Sequence, residues 1–71
     1  MVGLSDPVVD VVRTVASRLE EGMPTTIKAL VAATGWGFGT CQRLHLEARR
    51  RGWLDGDGVP TAEGLLASGR V

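Results

Sequence analysis

Five cations crowd the middle of this 71-residue chain: Lys28, Arg43, Arg49, Arg50 and Arg51 stand against Glu47 alone between residues 25 and 54, a segment net of +4 (five less one). Residues 1–24 and 55–71 each carry −2, so the whole chain is neutral with a pI near 6.5. A guanidinium offers a flat fork of donors that matches phosphate, or the O6 and N7 edge of guanine. The chemistry such a cluster suits is therefore binding of an anion, and not bond making or breaking. The run Arg49-Arg50-Arg51 has a second use, since cations in the last turn of a helix offset its negative end by about 0.3–1 kcal/mol. Arg43 lies near the expected start of its helix, where a cation opposes the dipole and needs another reason to be there.

The other chemically capable residues assemble into nothing catalytic. One histidine, His45, and one cysteine, Cys41, fall short of the three or four ligands a zinc site requires, and a lone cysteine forms no internal disulfide. His45-Leu46-Glu47 imitates a fragment of a zinc deaminase but lacks the paired cysteines. Gly35-x-Gly37-x-Gly39 has no preceding strand and no following Lys-Ser/Thr, so it reads as a turn and not as a phosphate loop. The expectation is no enzyme activity, no metal, no cofactor and no small-molecule effector. Seventy-one residues leave room for one domain only, and 44% hydrophobic content is ample for a small helical core. No apolar run is long enough for a membrane span or a signal peptide, so the expected location is the cytoplasm.

These residues need elements to hold them. Asp6-Pro7 is an N-cap followed by proline at the first helical position, and Gly22 can stop the helix they open. Val8, Val9, Val11, Val12, Val15, Ala16 and Leu19 fill an arc of about 160° on it. Pro24-Thr25-Thr26 breaks and caps a second helix that ends at Gly35. A third helix should begin near Gly39 or Thr40 and stop at Gly52, with Cys41, Leu44, His45 and Ala48 as its buried stripe and Arg43, Leu46, Glu47 and Arg50 facing out. Asp55-Gly56-Asp57-Gly58 predicts the turn of a small β-hairpin, and Thr61 caps a last helix through Leu65 and Leu66. The expected fold is mainly α with one small hairpin.

From Thr25 to Leu54 the sequence TTIKALVAATGWGFGTCQRLHLEARRRGWL resembles the winged helix-turn-helix of the IclR and MarR repressor families. Gly35-Trp36 matches the stop of the second helix, Thr40 the polar start of the third, Arg43 the recognition-helix arginine, and Gly52-Trp53-Leu54 the beginning of the wing. Pro60-Thr61-Ala62-Glu63-Gly64 is similar to the Leu-Thr-x-x-Gly that opens the helix after the wing. The chain departs from the pattern at Gly37 and Gly39, where polar side chains are usual, at His45 and Ala48, where leucines stand, and in a wing with two aspartates and no arginine.

The resemblance implies a single domain over residues 1–71, with the helix-turn-helix at about 25–52 and the wing at about 53–60. It implies a small sequence-specific regulator of transcription, a repressor type, that binds double-stranded DNA. Its size is similar to that of minimal regulators of phages and mobile elements. The residues expected at the DNA are Thr26, Lys28, Phe38, Gly39, Thr40, Gln42, Arg43, Leu46, Glu47, Arg49 and Arg50. A homodimer is expected through Val9, Val11, Leu65, Leu66 and Val71, because one recognition helix covers only a half-site. Two rival uses fit the same residues: a protein-interaction module, favoured by the neutral charge, acidic wing and Leu46, and a single-strand or RNA binder that stacks bases on Phe38.

Overall fold

Asp6 opens the first helix by local chemistry alone. Its Oδ1 accepts the Val8 amide at 2.9 Å, and Pro7 comes next with no amide to leave unsatisfied. A computed structural model describes residues 6–69, and there this helix is α1 (Pro7–Glu20). It stops before Gly22, whose φ of +70° turns the chain so that Gly22 N–H reaches Leu19 O at 3.1 Å and Met23 N–H reaches Arg18 O at 2.8 Å. Helix α2 (Ile27–Thr34) is capped by Thr26 Oγ1, which accepts the Ala29 amide at 3.2 Å, and ends in left-handed Gly35. Helix α3 (Phe38–Arg50) starts earlier than the expected Gly39 or Thr40. Gly37 is its N-cap in extended backbone with no side-chain capping bond, so a polar side chain does not mark the boundary. The turn between α2 and α3 is thus Gly35-Trp36-Gly37, braced by Thr34 Oγ1, which accepts the Trp36 amide at 3.1 Å.

Helix α3 ends as α1 does. Gly52 N–H bonds Arg49 O at 3.0 Å and Trp53 N–H bonds Ala48 O at 2.9 Å, with Gly52 at φ +78°. This ending limits the strand pairing beyond it. The expected hairpin is reduced to one antiparallel bridge, Leu54 with Pro60. Asp55 N–H bonds Val59 O at 2.9 Å, and Asp55 Oδ1 accepts the amides of Asp57 at 2.8 Å and Val59 at 3.0 Å, closing a tight loop. Thr61 N–H also bonds Trp53 O at 3.0 Å, but the two return donors are committed elsewhere, Trp53 N–H to Ala48 O and Val59 N–H to the Asp55 side chain, so the pairing goes no further.

Helix α4 (Ala62–Ala67) is capped by Thr61, whose Oγ1 accepts the Gly64 amide at 3.0 Å and donates to Gly52 O at 2.6 Å. Gly64 lies so close to the Trp53 carbonyl that a Cβ there would overlap it. Arg13 Nε donates to Ser68 O at 2.8 Å and ties the end of α4 to α1.

Helix α1 touches all three other helices, and the core is Val8, Val11, Val12 and Val15 with Leu30, Cys41, Ala48 and Leu54. Trp36 and Trp53 are partly buried against it. One expectation needs correction. Val11 is fully buried, so it is not part of a surface open to a second copy. His45 and Leu44 are half-buried in the Cys41–Ala48 stripe, with His45 beside Gly58 of the 55–59 loop. Val71, expected at a dimer contact, lies outside the described residues.

Candidate functional site

On α3 the i, i+3 and i+4 spacing sets Gln42, Arg43, Leu46, Arg49 and Arg50 on the solvent side of the helix, and all five are exposed. From Gln42 to Arg50 the stripe is about 12 Å long at 1.5 Å per residue. Leu46 is 55% exposed, and Phe38 at the start of the helix 53%. Glu47 and Thr40 are half-buried at the margins, and Gly39 is exposed. Lys28 and Thr26 are exposed on α2 and its cap.

The arginines differ in what they touch. Arg43 and Arg49 make no side-chain hydrogen bond or ion pair with any described residue, and the same holds for Lys28. Arg50 is held by Glu47 through two parallel bonds, Nε to Oε1 at 2.9 Å and Nη2 to Oε2 at 2.8 Å. Arg51 bonds Glu47 Oε2 through Nε at 2.8 Å and Asp6 Oδ2 through Nη1 at 2.7 Å, with its guanidinium 5.0 Å from the centre of the Trp53 ring. The Arg50 and Arg51 bonds bring the Glu47 carboxyl down to about 2. Asp6 is lowered by Arg51 first and by the Val8 amide second. Arg51 therefore fastens α3 to the start of α1, and the surplus of positive charge at the outer face comes from Arg43, Arg49 and Lys28.

Two open grooves flank α3. One, about 470 Å³, runs between α3 and the start of α2 and brings together Thr26, Gln42, His45, Leu46, Arg49 and Asp57. The other, about 510 Å³, lies between α3 and the 55–59 loop and is lined by Leu46, Arg49, Arg50, Leu54, Asp55 and Gly56. Leu46 and Arg49 form the ridge between them. Of the residues expected at a DNA surface, Thr26, Gln42, Leu46, Arg49 and Arg50 meet around these grooves, whereas Lys28, Phe38, Gly39, Thr40, Arg43 and Glu47 line neither.

Asp55 and Asp57 reach this region because the loop returns over α3, where it meets His45. Gly58 comes so close that a Cβ on it would stand 3.2 Å from His45 Nε2. The His45 pKa is lowered, by burial first and by neighbouring Arg49 second, so its neutral form is favoured. Among the described residues, no three His, Cys, Asp or Glu side chains converge to hold a metal, and no helix is long and apolar enough to cross a membrane. No family model matches the chain, and neither a curated protein nor a solved structure matches it.

Proposed function

We propose that this chain is a winged helix-turn-helix regulator of transcription that binds double-stranded DNA by laying α3 in the major groove. The observation that carries the reading is the pair Arg43 and Arg49, exposed and without a hydrogen-bond or ion-pair partner among the described residues, on the same stripe as Gln42 and Leu46. Unpaired guanidinium groups on a helix that a major groove about 12 Å wide admits are suited to base edges and phosphates together. Support comes also from the three-residue turn between α2 and α3 and from the Thr61-Gly64 packing after the loop, which give physical content to the resemblance. The loop with Asp55 and Asp57 stands in the place of a wing and is repelled by phosphate, so α3 makes most of the contacts.

The test is a salt titration of binding to a random duplex. Affinity should fall linearly on a log–log plot as salt rises, with a slope set by the number of phosphates neutralised. Exposed Phe38 and Leu46 favour a second reading, a protein-interaction module. Absence of duplex binding at about 50 mM salt, where phosphate contacts are strongest, selects that second reading.

A further inference from the structure

Glu47 sits one turn before Arg50 and Arg51 and accepts from both. An isolated ion pair on a surface is weak, because two long side chains must be held in place and water screens them. Here the carboxylate is held from behind. Arg51, anchored by Asp6 and stacked on Trp53, fixes Glu47 Oε2 from the side of α1, so little freedom remains for Arg50 to remove. Arg50 itself is open, its side chain 77% exposed beside Arg49 on the second groove. Two of its donors, Nε and Nη2, meet the carboxylate in the forked geometry that a phosphate would use. The four groups Arg50, Arg51, Glu47 and Asp6 sum to zero charge, which leaves Arg49 as the uncompensated member of the three-arginine run.

We propose that Glu47 is an affinity-setting residue, an internal carboxylate that occupies the Arg50 guanidinium in place of a DNA phosphate and so weakens binding to every duplex alike. The inference rests on the DNA-binding reading above. Phosphate contacts add one increment each to the salt slope, so a masked arginine shows as a missing increment.

The experiment measures random-duplex affinity of the full chain by fluorescence anisotropy at salt concentrations from about 50 to 200 mM. Glu47→Gln should steepen the slope by about 0.9, which makes the loss of affinity across that range roughly 3.5-fold larger. Glu21→Gln removes the same charge at the far end of α1 and should leave the slope at the parent value. Combining Glu47→Gln with Arg50→Ala should abolish the gain. A Glu47→Gln slope equal to the parent's, a Glu21→Gln slope that rises as much, or a gain that survives Arg50→Ala each overturns the proposal while parent binding keeps the DNA reading intact. Binding by neither parent nor variant overturns both. Thermal melting monitors folding, and Glu47→Ala replaces Glu47→Gln if the amide disturbs it.

Discussion

Arg43 and Arg49 share a side chain and a helix but differ in place. Arg43 is in the second turn of α3, where a recognition helix approaches base edges, while Arg49 is near the far end on the ridge between two grooves. Arg43→Ala should weaken binding to the preferred duplex by roughly 1–3 kcal/mol and leave random duplex almost unchanged. Arg49→Ala should weaken all duplexes alike and reduce the salt slope by about one contact. Anisotropy titrations of both variants on both duplexes check this, and parental binding throughout would mean α3 is not a recognition helix.

His45 and Glu47 both make the fold less stable as pH falls, each in its own window. The folded-state pKa of His45 lies below its ordinary 6.5, so the unfolded chain takes up the proton first, and stability falls as pH drops from 6.5 toward the folded value. His45→Leu should match or exceed the parent in stability at neutral pH, keep DNA binding, and melt with less dependence on pH in that window. For Glu47 the folded value of about 2 lies below the ordinary 4.5, so its stabilising bonds are complete above 4.5 and lost as pH falls to about 2. Chemical denaturation of Glu47→Gln across this acid range should show a flatter decline than the parent.

Among the elements, α4 depends on one absent atom. Thr61 caps the helix and bonds Gly52 O, and this brings Gly64 against the Trp53 carbonyl. Backbone cannot yield as a flexible side chain does, so Gly64→Ala must push α4 off the loop. The expected loss is about 1–3 kcal/mol, with a fall in Tm of about 4–8 °C per kcal/mol for a domain of this size. Gly52→Ala has open space around it and loses only what a left-handed backbone costs, about 1 kcal/mol. Calorimetry of the two variants separates steric overlap from backbone strain, and a Gly64→Ala protein as stable as the parent would show that α4 is free to shift.

For the whole molecule, the question is what covers the apolar surface left by so small a core. Ala16 and Leu19 of α1, Val59 and Pro60 of the loop, and Leu65 of α4 line a common groove of about 290 Å³, and neighbouring Leu66 is 64% exposed. With Val11 consumed by the core, a homodimer would use this groove, Leu66 and half-buried Val9. Light scattering at high micromolar concentration should give the dimer mass for the parent and the monomer mass for Leu66→Glu. A monomeric parent removes the dimer and the half-site argument with it.

How much of the molecule is readable in its sequence depends on how far each signal reaches along the chain. Asp6-Pro7, Thr26 and Thr61 as caps, and Gly22, Gly35 and Gly52 as stops, act within one helical turn, so four helices in the right order come from the residues alone. The outward stripe of α3 comes from its period. The start of α3 is not legible in the same way, because Gly37 caps through backbone and leaves no side-chain signal. What the tertiary structure decided are the partners of groups distant in sequence: Arg51 finding Asp6, the 55–59 loop covering His45, and Val11 meeting the other helices. The shortened hairpin belongs here too, since the cap at the end of α3 took the Trp53 amide and the Asp55 side chain took the Val59 amide, the two donors a longer ladder needed. Charge and period say which residues face water, but only packing says which of those cations already hold an anion, and this is what divides Arg43 and Arg49 from Arg50 and Arg51.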